Sequence, residues 1–184
     1  MKHILTFLLC VMALTVSAQQ RHSDGIDDVL QHVPMASVFV LKACEFENET
    51  PWAELALTAV ASYTLATATT YSLKQVVGER RPDKSDHRSF PSGHATYAFA
   101  GASMLCHEFG HLSPWVPIGG YGLATLTAVD RVRRDRHYLH DVCAGAAIGF
   151  AATELTYYLK QKFIKSKNVD LSFTGQELYL ALRW

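Results

Sequence analysis

The stretch Arg88–Ala100, RSFPSGHATYAFA, sets a Pro, a Ser and a Gly directly before a His and then opens a smooth apolar run. Pro91 and Gly93 interrupt the chain, and the run after them predicts a helix beginning near Gly93. Such a start points free N–H groups and the positive end of the helix dipole at whatever lies in front of it. Gly93 permits a tight turn and a close backbone approach, Ser92 offers a hydroxyl, and His94 on the first turn has a proton to give. All four features suit an anion. Its nature depends on which other segments reach the same spot.

Outward from this point the chain reads as helices. One segment runs from about Trp52 to Val77 and is broken by PDKSDHRSFPS. The second, from Gly93, fades at EFGHLSP; a third spans about Trp115 to Val129; a fourth starts near Tyr138 and ends in KQKFIKSK. Residues 26–43 have helical spacing with a Pro at 34, and ENETP is a linker whose Thr50-Pro51 reads as an N-cap and a first-turn proline. Small residues crowd LALTAVASYTLATATT and AGAAIGFAA, which lets helices approach closely. The expectation is an all-α antiparallel bundle over 52–165, preceded by a helical segment and linker at 19–51. The tail, 166–184, alternates apolar and polar residues about Thr174-Gly175 and predicts a short β-hairpin, with an outer-membrane strand signal as the sharper reading.

In an up-and-down bundle with short loops, the end of the first segment, the start of the second, the end of the third and the start of the fourth share one pole. LKQVVGERRPD, PSGHA, AVDRVRRDRH and HYLHDV all arrive there. Lys74 and Arg81 lie seven apart and share a face if the helix continues. Arg131 adds a third cation. Unpaired, the three would repel by several kcal/mol in a partly dry site. The acids nearby (Glu79, Asp83, Asp86, Asp130, Asp135) read as loop residues, so a phosphate-like anion is the better filler, held by Arg forks and a Lys point charge. His137 and Asp141, four apart, share a helix face, and an Asp that fixes one ring nitrogen leaves the other as a nucleophile. His140 has Ala144 in the equivalent slot, so it reads as a pole residue near substrate or solvent.

Bulk properties narrow the class. Of 184 residues, 49% are hydrophobic and 18% charged; 17 basic residues balance 17 acidic ones, so no nucleic-acid partner is expected. Met1-Lys2-His3, the run ILTFLLCVMALTV and Val16-Ser17-Ala18 read as an export signal over 1–18, or else a membrane anchor. Three of the four cysteines lie beyond it and allow one disulfide at most. No CxxC or HExxH pattern points to a metal. Whether the helices span a bilayer or lie at its surface stays open at this level, because Glu54 and Glu154 interrupt the longer segments.

KQVVGERRP, PSGH and RVRRDRHYLHD, in this order, resemble the three signature motifs of the type 2 phosphatidic acid phosphatase superfamily. The resemblance implies an all-helical fold and metal-independent phosphate removal without a cofactor. It implies His137 as nucleophile forming a phosphohistidine, Asp141 activating it and His94 protonating the leaving alcohol. Lys74, Arg81, Ser92, Gly93 and Arg131 would bind the phosphate. Asp130 departs from the family's usual Ser and bears on ligand affinity. Vanadium haloperoxidases look similar at the same cage, although this chain lacks their usual insertions; a non-catalytic phospholipid-binding protein is the other class. The N-terminal export reading implies an exported protein, in the periplasm or in a membrane facing it, with a membrane surface as partner. Its substrates would be lipid A phosphate, phosphatidylglycerol phosphate, undecaprenyl diphosphate or phosphatidic acid, with a broad periplasmic acid phosphatase as alternative. Arg133, Arg134 and Arg136 read either as an attractor for an anionic surface or as a solvated loop.

Overall fold

The structure is a computed structural model that describes residues 26–163, 169–174 and 177–182. The expected export signal at 1–18 lies outside the described residues.

Residues 26–43 form two helices, not one: α1 (Ile26–Leu30) and α2 (Val33–Ala43), separated by a turn at Gln31-His32. Pro34 sits in the first turn of α2, where its missing N–H costs no hydrogen bond. The long helix α3 (Trp52–Val77) begins one residue later than the Thr50 cap implies. Its N-cap is Pro51, and no side chain caps it. It stops at Gly78, whose φ of +59° is the left-handed value that glycine adopts at no steric cost. The next helix, α4 (Gly93–Phe109), is capped by Ser92, whose hydroxyl accepts from the Ala95 N–H at 3.5 Å. Then α5 (Trp115–Arg133) runs one turn beyond the expected Val129, so Arg131 lies on the helix itself. The last helix is α6 (Leu139–Phe163). Residues 169–174 (β1) and 177–182 (β2) pair as antiparallel strands, from Val169 opposite Leu182 to Thr174 opposite Glu177.

The all-helical bundle is built around α4. Twelve of its 17 residues are buried, and α2, α3, α5 and α6 all pack on it. The small residues of α6 decide how near two axes come. A Cβ on Gly149 would fall 2.1 Å from the Thr96 carbonyl oxygen, and one on Gly145 would fall 2.4 Å from that of Ser92. Only glycine permits this backbone-on-backbone seam. Lower in the bundle, Met35, Val38, Leu55, Met104, Phe109 and Tyr157 form the main apolar cluster. Each large side chain there contributes roughly 1.5–3 kcal/mol by leaving water.

The two poles differ as the topology predicts. At the far pole, buried Glu108 accepts from Asn48 Nδ2 at 2.9 Å and from the Tyr157 hydroxyl at 2.5 Å, and Lys160 pairs with Glu54 at 2.8 Å. The near pole gathers 78–92 and 134–138, tied by the Asp83 N–H to the Asp135 carbonyl (3.1 Å) and by Arg136 to Asp83 (2.8 Å). The flanks are apolar: Val76, Trp115, Ile118, Leu126, Leu139 and Tyr158 are all exposed. Among the described residues, one helix, Leu139–Lys162, is long and apolar enough to cross a membrane by length and composition. Cys44, Cys106 and Cys143 are free thiols.

Candidate active site

The start of α6 and the start of α4 meet at the near pole. The Ser92 N–H donates to the Asp141 carbonyl at 3.0 Å, which locks the two first turns together. His137 lies just ahead of α6. Its Nδ1 is 3.5 Å from Asp141 Oδ2, and both side chains are almost fully buried. That spacing is longer than a well-formed hydrogen bond, but it fixes which ring nitrogen faces the carboxylate and turns Nε2 the other way. The same Oδ2 accepts from Ser89 Oγ at 2.5 Å and from the Tyr138 N–H at 2.8 Å. Burial alone would raise the Asp141 carboxyl. The contacts with His137, Ser89 and Tyr138 outweigh it and hold the group at about 2.

Three cations surround His137. Burial first, then the charges of Lys74, Arg81 and Arg131, push its ring down to about 4 against the pull of Asp141. The imidazole is therefore neutral near pH 7, with a lone pair available. Lys74 itself is lowered to about 8, mainly by burial and by Arg81. It donates to the carbonyls of Arg88 at 2.7 Å and Ser89 at 3.5 Å.

Not every expected detail survives. Because α3 ends at Val77, Lys74 and Arg81 do not share a helix face; Arg81 reaches the pole from the loop beyond Gly78. The cations also find acids within the chain. Arg81 Nε pairs with Asp86 at 2.8 Å, and buried Arg131 pairs with buried Asp27 at 2.5 Å. Asp130 turns away from Arg131 and binds Arg134 at 2.8 Å, one helical turn on. Arg134 and Arg136 are thus ion-paired, Arg134 while still exposed, whereas Arg133 lines an apolar cleft. His140, exposed, binds Glu79 at 3.0 Å and lies 3.2 Å from Asp141 Oδ1. Ser92 spends its hydroxyl as a helix cap. Gly93 has no left-handed φ and no protein atom within 4 Å of where a Cβ would sit, so the turn does not require it and the space beside it is open.

His94 opens the second half of the site. Its Nε2 is 2.8 Å from Asp28 Oδ1. Burial and then Arg131 lower its ring to about 4, with Asp28 and Asp27 pulling upward. Three groups were missed by sequence reasoning: Asp27, Asp28 and Ser89. The two acids lie on α1, 104 residues from Arg131 and 66 from His94, and no local spacing rule links them. Ser89 sits in the quoted stretch, but its partner is 52 residues away.

The motif order, the helical pole and this convergence of residues agree with a sequence comparison. The model of the PAP2 superfamily matches residues 55–165. The chain belongs to the PAP2 superfamily. Among PAP2 relatives, the lipid A 1-phosphatase of Porphyromonas gingivalis is 32% identical over 135 residues, covering 73% of this chain. The chain spans only 30% of that relative's length. Two solved PAP2-like folds are similar at 22% identity. Aquifex aeolicus LpxE superposes with a TM-score of 0.56 over 76% of this chain and 88% of that one. The first transmembrane PAP2 type phosphatidylglycerolphosphate phosphatase from Bacillus subtilis gives 0.55 over 88% and 96%.

Proposed function

We propose that this PAP2 protein is a phosphatase that removes phosphate from a membrane lipid phosphomonoester or diphosphate through a phosphohistidine, with no metal. The observation that carries this reading is the buried His137–Asp141 pair beneath Lys74, Arg81 and Arg131. In the proposed cycle, His137 Nε2 donates its lone pair to phosphorus while the bond to the leaving oxygen breaks. His94 gives that oxygen a proton. Lys74, Arg81, Arg131, Ser92 and Gly93 hold the equatorial oxygens and offset the charge that builds on them. Asp141 stabilises the His137 ring as it becomes cationic. Water then attacks phosphorus, His94 takes the proton it had lost back from that water, and the P–N bond breaks.

Two features favour a lipid. The exposed flanks of the bundle are apolar. A cleft of about 500 Å³, with Phe99, Val129, Val132, Leu139 and Val142 on its walls and Arg133 beside them, opens between the ends of α5 and α6 that carry the site. Its size falls in the roughly 300–1,000 Å³ range of ligand clefts, and its apolar walls suit an acyl chain. Lipid A phosphate, phosphatidylglycerol phosphate, undecaprenyl diphosphate and phosphatidic acid are the candidate substrates, met at a periplasm-facing membrane surface. A broad acid phosphatase is the alternative reading, favoured by the open space beside Gly93.

Phosphate release by the purified full chain from a panel of these lipids and a soluble aryl phosphate tests the proposal. An alkaline quench should trap phosphate on His137, seen by mass spectrometry. Preference for the soluble ester by orders of magnitude would overturn the lipid assignment. Turnover that persists in His137→Ala would overturn the mechanism.

A further inference from the structure

The helix α1 is only five residues long, yet it carries two carboxylates into the site from different directions. Asp27 is fully buried against Arg131 on α5, with Arg134 a further 3.7 Å away. This pair anchors the helix. The next residue, Asp28, is thereby brought to His94 Nε2 at 2.8 Å, where its side chain keeps partial access to solvent. Among the charges that face the His94 ring are Asp27 and Asp28 from α1 and Arg131 from α5.

We infer that Asp28 is the positioning residue of the acid step, orienting the His94 ring with Nδ1 toward the leaving oxygen and stabilising the imidazolium that forms when the bound phosphate draws a proton onto Nδ1. The inference rests on the phosphatase reading above. Burial and Arg131 favour the neutral ring, whereas the imidazolium is the form that gives a proton to an alkoxide. Asp28 counters that by accepting from Nε2–H, which makes an Asp–His dyad on the leaving-group side to match the Asp141–His137 dyad on the attacking side. During the step the Nδ1 proton passes to the leaving oxygen as the P–O bond breaks. The ring is left neutral, with its remaining proton on Nε2 donated to Asp28.

The dependence on leaving group separates this role from simple support of the fold. An alkyl phosphate needs a proton on its leaving oxygen; p-nitrophenyl phosphate does not. In Asp28→Asn, kcat/KM on a short-chain phosphatidic acid in detergent micelles should fall about 10- to 100-fold, part of the 10²–10⁴ that general acids supply. On p-nitrophenyl phosphate it should change by less than about threefold. Asp28→Glu should recover part of the loss. In a His94→Ala background, Asp28→Asn should cost nothing further, since the group it serves is gone. The His94 ring titration, followed by NMR in the intact protein, should move to lower pH in Asp28→Asn whether or not a substrate is turned over.

Equal losses on both esters, or additive losses with His94→Ala, would overturn the inference. So would an unmoved His94 titration. Wild-type protein that hydrolyses neither ester while His94 still shifts would instead overturn the phosphatase reading and leave the Asp28–His94 coupling standing.

Discussion

Ser89 and Asp141, 52 residues apart, are joined by a buried 2.5 Å hydrogen bond from the Ser89 hydroxyl to the carboxylate that faces His137. The bond leaves Asp141 one orientation. Ser89→Ala should therefore lower kcat about 3- to 10-fold with little change in KM, because binding groups are untouched. Asp141→Asn, which also removes the charge, should cost about 10²–10⁴. Steady-state kinetics on any accepted substrate checks the ranking. Equal effects would mean that Ser89 does more than orient.

The buried Asp27–Arg131 pair predicts an asymmetric stability response. Asp27→Ala leaves a guanidinium in the interior without its carboxylate and should cost about 3–5 kcal/mol. Replacing both, as Asp27→Leu with Arg131→Met, should restore most of that stability while activity stays lost. Denaturant titration measures the first statement, and the double variant measures the second.

Glycines sort by what a methyl group would meet. Gly149→Ala drives a Cβ to 2.1 Å from the Thr96 oxygen and should destabilise by about 3 kcal/mol or more. Gly122→Ala, on α5 with nothing within 4 Å, should stabilise by up to about 1 kcal/mol through helix propensity alone. Thermal melts of the two variants should move in opposite directions.

Acid should weaken the fold in two stages. His94 and His137 are both depressed from 6.5 to about 4. Between those values the unfolded chain binds protons that the folded chain refuses, so stability falls as pH drops from 6.5 toward 4. His32, also lowered by burial, adds to this window. Asp141, held at about 2, contributes stability that is present above its ordinary 3.8 and lost only as pH falls from there toward 2. Melting temperature against pH should show the first decline reduced in His94→Gln with His137→Gln to the part that His32 supplies.

If the three cations and His137 do the chemistry, activity should persist in excess chelator, and vanadate should inhibit competitively by occupying the same cage. Complete loss in chelator, restored by added metal, would reverse that conclusion.

Helix boundaries were legible wherever breakers mark them. Pro51, Gly78 and the PSG before His94 delimit α3 and the start of α4, and the long run of small residues anticipated the seam at Gly145 and Gly149. The predicted site residues also converge, because topology alone sends their segments to one pole. The missed parts have a common physical cause. Asp27 and Asp28 look like ordinary first-turn acids of a short helix, and their value comes only from tertiary contacts. Arg81 reaches the pole through a loop rather than along α3, which a seven-residue spacing cannot distinguish. The split of residues 26–43 at Gln31-His32 likewise has no breaker in the sequence beyond Pro34, which α2 tolerates at its first turn.

The glycine seam between α4 and α6 makes the gap between the two imidazole-bearing turns a property of the main chain. Backbone rests on backbone there, so the spacing of these turns is gauged by peptide dimensions rather than by side chains that change rotamer. The exposed Val, Leu and Trp of the flanks can thus change identity without moving the two rings apart.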